Sequence, residues 1–191
     1  MILRTLDEVA AAIPAGDRVV VGIAGAPGAG KSTVAATLVA SLPSAVLLPM
    51  DGFHLPQARL VELGRRDRMG APDTFDVEGF AATVEAARSG PTTAPGFDRT
   101  VEEPVPGAVT IADERVVVVE GNYLLHWGVP FDVTFVVDVD HDVRIERLVE
   151  RHIRFGKSPE DARAWSLGPD EANAVLVTAT AGRADHVIRL D

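Results

Sequence analysis

The chain has 191 residues, of which 47% are hydrophobic and 24% are charged, a composition typical of one globular domain with a full core. Its formal net charge of −10 argues against a basic nucleic-acid surface, and the absence of cysteine excludes disulfides, thiolate catalysis and cysteine zinc sites. No run of about 18 apolar residues occurs, and no secretion-signal pattern opens the chain. We therefore expect a cytoplasmic protein with a small-molecule ligand, no nucleic acid and no membrane as partner, and a single domain over residues 1–191.

Helical and extended patterns alternate along the chain. Thr5 with Glu8 three positions later forms a capping-box pattern, and Asp76 is a suitable N-cap for a later helix. The predicted helices cover 6–13, 32–42, 77–88, 142–155 and 169–180. The predicted strands of the main sheet cover 18–24, 45–49, 116–119, 131–139 and 186–190. This alternation predicts a three-layer α/β/α fold with a mostly parallel, five-stranded sheet covered on both faces.

Residues 91–107 interrupt this alternation. They are rich in Pro, Gly and Thr, and core strands resume on both sides, so we expect a functional loop rather than a linker. The apolar residues 109–111 and 116–119 then resemble a short hairpin that leads into a buried strand.

Residues 25–32 read GAPGAGKS, which fits the phosphate-binding pattern GxxxxGK[ST] directly after a predicted strand. Its glycines let the backbone turn so that successive N–H groups point toward an anion. Lys31 can reach the β and γ phosphates of a nucleotide, and the Ser32 hydroxyl can ligate Mg²⁺. The sequence therefore predicts a nucleoside triphosphate site of the P-loop NTPase type. Its predicted contact residues are Gly25, Ala26, Pro27, Gly28, Ala29, Gly30, Lys31, Ser32 and Thr33.

Two acids follow predicted strands at the sheet edge where open parallel sheets bind ligands. Asp51 can accept a proton from an attacking hydroxyl, although Asp-Gly is also ordinary turn chemistry. Glu120 can hold Mg²⁺ directly or through water, or it can simply be a polar residue at a strand end. Both acids are therefore candidates for phosphotransfer chemistry.

A row of cations runs through the predicted helix 142–155 and into the following loop. Such a row is either a solvated helix face or part of a mobile lid, over about 154–170, that closes over phosphates. Small residues that can act as hinges favour the lid. The cations are Arg144, Arg147, Arg151, Arg154 and Lys157, and the hinge candidates are Gly156, Ser158, Pro159 and Gly168.

Several motifs occur in a characteristic order over nearly the whole chain. They are GAPGAGKS, PMDGFHLP, GAPDTFDVEGF, PGFDRTVEEP, VVVVEGNYLL and ADHVI. In this the chain resembles the P-loop kinases of the uridine kinase, pantothenate kinase and phosphoribulokinase superfamily. It looks most like the small bacterial members called nucleoside kinase-like or fructose kinase-like proteins. The resemblance implies an enzyme that uses ATP and Mg²⁺.

The resemblance also implies roles for particular residues. Asp51 corresponds to the catalytic base, and Ser32 with Glu120 to the Mg²⁺ site. Lys31, Arg147 and Arg151 correspond to catalytic cations, with Arg154 a further lid arginine. The acceptor pocket corresponds to two segments, 72–76 and 97–99. The residues expected to shape it are Phe53, His54, Phe75, Phe97, Arg99 and Tyr123, although Tyr123, which follows the strand of Glu120, could equally pack in the core.

Two departures from the family pattern bear on the acceptor. Uridine kinases have a tyrosine at the position of His54 and a ribose-binding acid at the position of Gly70, which argues against uridine. Pantothenate kinases share the DGF and GxP features but are much longer. We therefore expect ATP-dependent phosphotransfer to a hydroxyl of a sugar, a nucleoside or a pantothenate-like compound.

A second class of function stays open at this point. The chain could be an ATP-binding regulatory protein or a nucleotide-dependent switch with reduced kinase activity. Neither a guanine-binding NKxD motif nor an LSGGQ-like signature occurs in the sequence. Oligomeric state is equally open, and a homodimer is one of the alternatives.

Overall fold

A six-stranded parallel sheet forms the centre of the computed structural model, which describes residues 1–190. Its order is β1-β8-β7-β2-β6-β3, and β4 pairs with β5 outside it. The strands are β1 (Ile2–Leu3), β2 (Val19–Gly25), β3 (Ala45–Pro49), β4 (Thr92–Asp98), β5 (Glu103–Ile111), β6 (Val116–Gly121), β7 (Val133–Val137) and β8 (His186–Ile188). The prediction of five strands was one short, because β1 contributes two residues that pair with Val187 and Ile188 at the sheet edge.

Helices cover both faces of the sheet. They are α1 (Leu6–Ala11), α2 (Lys31–Ser41), α3 (Gln57–Glu62), α4 (Val77–Ser89), α5 (Leu124–Trp127), α6 (His141–Arg154), α7 (Pro159–Leu167) and α8 (Pro169–Thr180). The predicted caps are present: Thr5 Oγ1 accepts from the Glu8 amide at 3.2 Å, and Asp76 Oδ1 accepts from the Gly79 amide at 2.9 Å. Within residues 1–190, no helix has the length and apolar character needed to cross a membrane.

Burial on both sheet faces explains the continuous apolar runs of β2 and β6, in which every residue is buried. One face of the sheet packs against α4, α5 and α8, with Phe80 and Val177 among the buried side chains. The other face packs against α1 and α2 through Val9, Val34 and Leu38. The predicted three-layer α/β/α fold is therefore confirmed.

The Pro-rich segment is a β-hairpin, not a loop. Strands β4 and β5 pair antiparallel from Thr92 opposite Ile111 to Asp98 opposite Glu103, with a register shift between Ala94 and Gly96. The predicted hairpin between 109–111 and 116–119 is wrong, since 116–119 lies in the parallel sheet. An antiparallel pair outside the main sheet tolerates the prolines and glycines that the sequence pattern indicated as loop residues.

The β4–β5 hairpin packs tightly on the turn that follows β3. A Cβ added to Gly52 in this turn would lie 2.0 Å from the carbonyl oxygen of Pro95. Only glycine allows such an approach between the two backbones. Asp51 is thereby held next to the hairpin.

Candidate active site

The phosphate loop connects the central strand β2 to helix α2, as predicted. Gly28 and Gly30 have φ angles of 81° and 89°, a conformation that glycine adopts without strain. A Cβ on Gly28 would also lie 2.7 Å from the carbonyl oxygen of Arg144. The loop therefore needs glycine for its turn and for its contact with α6, and it places the N-terminus of an 11-residue helix at the site.

Lys31 lies at the first position of α2, among carboxylates. Burial lowers the pKa of Lys31, while the charges of Glu120 and Asp51 act in the opposite direction. The ammonium group thus lies within electrostatic reach of both predicted catalytic acids. Such a group can neutralise a phosphate that enters the same space.

Glu120 is 4% exposed at the end of β6 and has one unpaired oxygen. Its Oε1 accepts a hydrogen bond from Ser32 Oγ at 3.2 Å, whereas its Oε2 has no partner among the described residues. Burial raises the pKa of Glu120, and Lys31 opposes that rise. A buried carboxylate oxygen without a partner is costly, so a cation beside Glu120 and Ser32 would stabilise the site.

The donor set at this point suits Mg²⁺. Within residues 1–190 no cluster of three or more His, Cys, Asp or Glu side chains could hold a metal ion by itself. Mg²⁺ is commonly held by one or two protein oxygens, with waters and substrate phosphates completing the octahedron. Ser32 and Glu120 provide that kind of partial site next to the phosphate loop.

Asp51 lies in the short turn Met50–Phe53 that follows β3. In the parallel register Pro49 is opposite Glu120, so the chain leaves β3 beside the end of β6 and brings the two acids to one edge. Arg99 Nη2 donates to Asp51 Oδ2 at 2.5 Å. Burial alone would raise the pKa of Asp51, but the charges of Arg99 and Lys31 outweigh burial and lower it.

His54 is enclosed by aromatic rings beside this acid. Its ring lies 4.0 Å from that of Phe75 and 4.7 Å from that of Phe97, measured between centroids. The Nδ1 atom is 2.8 Å from the carbonyl oxygen of Asp51, which can only accept, so Nδ1 carries the hydrogen. Burial lowers the pKa of His54 despite the neighbouring Asp51, which favours a neutral ring with Nε2 as a hydrogen-bond acceptor.

One cavity of about 650 Å³ joins the phosphate loop to these side chains. The predicted site residues that line it are Pro27, Lys31, Ser32, Asp51, His54, Phe75, Phe97, Arg99 and Arg151. Phe53 and Tyr123, predicted as pocket residues, lie in the core instead, at 5% and 0% exposure. The Tyr123 hydroxyl donates to the Gly70 carbonyl oxygen at 2.6 Å, so Tyr123 supports the pocket wall from behind.

The cations of α6 divide between two environments. Arg144 is 5% exposed, donates to the Pro27 carbonyl oxygen at 3.2 Å and pairs with Glu171, so it ties the phosphate loop to α6 and α8. Arg147 is exposed to solvent. Its side chain nevertheless lies close to the phosphate loop, since a Cβ added to Gly30 would be 3.4 Å from Arg147 Nη1. Arg147 thus lies on a solvated face of the helix, whereas Arg144 is buried.

Arg151 lines the cavity on the next turn of the same helix. Burial lowers the pKa of Arg151, and Asp170 opposes that effect. Farther along, Arg154 is exposed and does not line the cavity, whereas Lys157 does, with its Nζ 4.5 Å from the centre of the Trp165 ring. Arg151 is therefore the α6 arginine best placed to meet a ligand.

Some residues of the cavity were not identified from the sequence. Asn122 lines the cavity, and its buried Oδ1 has no partner among the described residues. Asp170 also lines it and lies 2.7 Å from His152 Nε2. Asn122 follows Glu120 by two residues, and this position at the end of a strand could have indicated that it belongs to the site. Asp170 opens a helix, and nothing in its local pattern indicates a site.

A second cavity, of about 680 Å³, adjoins the phosphate loop at Ala26 and Ala29. Its walls are mostly aliphatic side chains of β7 and α8. It contains neither Lys31 nor Asp51, so we place phosphotransfer chemistry in the first cavity.

Comparisons with known proteins identify relatives that are named as kinases. No family model matches the chain. An ATP-dependent kinase-like protein of Aspergillus versicolor is 38% identical over 133 residues, which cover 60% of this chain and 77% of that protein. A Schizosaccharomyces pombe protein whose name proposes a uridine kinase is 32% identical over 163 residues, which cover 73% of this chain and 68% of the relative.

A solved structure of a protein named as a kinase matches more of the chain. A Silicibacter protein whose name proposes a fructose transport system kinase superposes with a TM-score of 0.87 at 34% identity. The match covers 96% of this chain and 98% of the Silicibacter protein.

Proposed function

The chain belongs to the P-loop kinase superfamily of uridine kinase, pantothenate kinase and phosphoribulokinase, so it is a small-molecule kinase, and we propose which residues carry out its reaction. ATP is the donor, and residues 25–32 with Thr33 hold its phosphates through backbone N–H groups and the N-terminus of α2. Lys31 neutralises the transferred phosphate. The lack of cysteine agrees with a reducing, cytoplasmic location.

Ser32 and Glu120 hold Mg²⁺ in this proposal. The ion supplies charge neutralisation at the β and γ phosphates. The unpaired Oε2 of Glu120 supports the assignment, because this buried oxygen has no hydrogen-bond partner within residues 1–190.

Asp51 acts as the general base toward the acceptor. The acceptor hydroxyl gives its proton to Asp51 as its oxygen forms a bond to the γ phosphorus. The bond from that phosphorus to the β–γ bridging oxygen breaks, and ADP leaves with the bond electrons. The lowered pKa of Asp51 supports this role, since the carboxylate is ionised and ready to accept a proton.

Arg151 and Arg147 neutralise charge that develops on the phosphates during transfer. Residues 154–170 act as a lid in this proposal, with α7 closing over the cavity when both substrates are bound. The position of Arg151 on the cavity wall, one turn before the start of this segment, supports the assignment.

The observation that carries the proposal is the meeting of Lys31, Asp51 and Ser32 in one cavity with a wall of aromatic side chains. Donor groups and a base thus face a space large enough for a small acceptor.

The test is the release of ADP from ATP, measured with and without sugars, nucleosides and hydroxy acids as acceptors. A strong dependence on one acceptor is the expected result. Release at the same rate without any acceptor, or ATP binding with no release, would instead support the regulatory protein or the switch.

A further inference from the structure

The proposed general base, Asp51, accepts a hydrogen bond from an arginine side chain. Arg99 Nη2 lies 2.5 Å from Asp51 Oδ2, in the geometry of a charge-assisted hydrogen bond. Asp51 is the one ion-pair partner of Arg99 among residues 1–190. A carboxylate oxygen engaged in this way is a weaker base, so Arg99 must give way before an acceptor hydroxyl can be activated at that oxygen.

Contacts of the β4–β5 hairpin hold the backbone of Arg99 in place next to Asp51. It follows β4 at the tip of the hairpin, where Gln57 Nε2 donates to the carbonyl oxygen of Val101 at 2.6 Å. On the other side, Gly52 and Pro95 hold the hairpin against the turn that carries Asp51. The hairpin is thus anchored on both sides, and the Arg99 side chain, 47% exposed, is the part free to turn.

A released Arg99 would need another anion. The nearby acid Glu102 is already paired with Arg66 at 2.5 Å. Asp51 itself would be engaged with the acceptor hydroxyl. The phosphates of ATP are neutralised by Lys31 and Arg151 in the proposed function, so an anionic group of the acceptor can supply the missing negative charge.

The other cations of the cavity have different tasks. Lys31 and Arg151 meet the phosphates of ATP in the proposed function, and Lys157 lies over Trp165. Burial lowers the pKa of His54, which favours the neutral ring, and the Nδ1 hydrogen is directed to a carbonyl oxygen. His54 can accept a hydrogen bond from a hydroxyl, but it cannot neutralise an anion.

We propose that the acceptor is an anionic polyol, whose carboxylate or phosphate takes Arg99 away from Asp51 and thereby frees the base. This inference rests on the proposed kinase function and adds the chemical class of its substrate. One arginine then performs two tasks, since it recognises the acceptor's anion and keeps Asp51 engaged while the pocket contains no acceptor. The guanidinium group suits both tasks because its planar donors match carboxylate and phosphate oxygens.

The experiment compares acceptors in matched pairs that differ in charge. Glycerate is compared with glycerol and gluconate with glucose as carboxylate pairs, and fructose 6-phosphate with fructose as the phosphate pair. The measured quantity is kcat/KM for acceptor-dependent ADP release. We expect one anionic member to exceed its neutral partner by about 10- to 100-fold, as for a charge-assisted hydrogen bond. The pair that responds distinguishes a carboxylate from a phosphate.

Variants connect this preference to Arg99. Arg99→Gln should remove most of the preference by lowering the ratio of kcat/KM for the anion to kcat/KM for its neutral partner, and Arg99→Lys should restore part of that ratio. The control Arg59→Gln removes an exposed arginine that pairs with Glu62 on α3, outside the cavity, and should leave the preference intact.

The failures of the two proposals are distinguishable. If neutral acceptors react as well as their anionic partners, or Arg99→Gln slows both members of a pair equally, the anionic-acceptor inference is wrong and the kinase proposal stands. If neither this panel nor the wider set of sugars, nucleosides and hydroxy acids stimulates ADP release by the wild-type protein, the kinase proposal itself fails, and the inference fails with it.

Discussion

The two halves of the cavity are built in different ways. The donor half is one contiguous segment, residues 25–32, whose shape is set by backbone turns at Gly28 and Gly30. The acceptor half is assembled from side chains on separate segments of the chain, including His54, Phe75 and Arg99. A contiguous backbone motif specifies its ligand in the sequence, whereas a pocket of dispersed side chains specifies its ligand only after folding.

This difference predicts that variants in the two halves should separate in their effects. Changes in the donor half should alter the binding of nucleotide or Mg²⁺ whatever the acceptor. Changes in the acceptor half should alter selectivity and leave nucleotide binding as it is. Asp51 belongs to both halves, because it is affected by Lys31 on one side and Arg99 on the other.

The largest effect is expected for Asp51→Asn. The amide cannot accept the hydroxyl proton, so turnover should fall by about 10²- to 10⁴-fold. ATP affinity, measured by equilibrium titration, should change little, because the phosphate loop is intact. Asp113→Asn, at an exposed position outside the cavity, is the matched control and should stay near wild type. Near-normal turnover of Asp51→Asn would remove Asp51 as the base.

Glu120→Gln tests the donor half. Loss of the carboxylate charge should weaken the apparent Mg²⁺ affinity by roughly 10- to 100-fold, because the amide is a poorer ligand. Turnover is titrated with Mg²⁺ at saturating ATP, and the acceptor preference is measured in parallel. Glu78→Gln, at an exposed position in the first turn of α4, is the control. A change in acceptor preference with an unchanged Mg²⁺ requirement would contradict the division into halves.

Gly52→Ala tests the connection between the base and the hairpin. The new Cβ would meet the Pro95 carbonyl oxygen at 2.0 Å, so the two backbones must separate. Overpacking of this kind costs about 1–3 kcal/mol of unfolding free energy, which chemical denaturation measures. The acceptor KM should rise while nucleotide affinity holds. Gly90→Ala, where an added Cβ meets nothing within 4 Å, should be close to neutral. Equal stability of both variants would show that the contact is unimportant.

The smallest effect is a displacement in the pH profile. Asp51 must be ionised to act, and its pKa lies below the ordinary value of 3.8, so the wild-type rate should persist into acidic solution. In Arg99→Gln, burial is no longer outweighed by the guanidinium charge, and the pKa of Asp51 rises. The acidic limb of kcat/KM for a neutral acceptor should therefore move to higher pH, with Arg59→Gln unchanged. A displacement to lower pH would contradict this electrostatic account.

Local chemistry explains what the sequence could predict. The capping box at Thr5 and the N-cap at Asp76 act over three residues, and both are present. The phosphate loop is a local motif of the same kind. The ends of parallel strands share one edge, so the prediction that Asp51 and Glu120 lie near one another needed only the strand assignment.

Long-range packing explains what the sequence could not predict. The β4–β5 hairpin contains Pro95 and Gly96, which indicate a loop in isolation and become a strand only through pairing with β5. The contact of Arg99 with Asp51 spans 48 positions of the chain and has no local signature. Tyr123 was expected in the pocket because it follows Glu120, but its neighbours in space bury it.

The edge pairing of β1 has a consequence for how the chain folds during synthesis. Ile2 and Leu3 pair with Val187 and Ile188, and β2 pairs with β6 and β7 from the far half of the chain. Contacts of such high sequence separation form slowly. On the ribosome, β1 therefore stays unpaired until β8, near the end of the described chain, has emerged. The position of β1 in the sheet depends on this late segment.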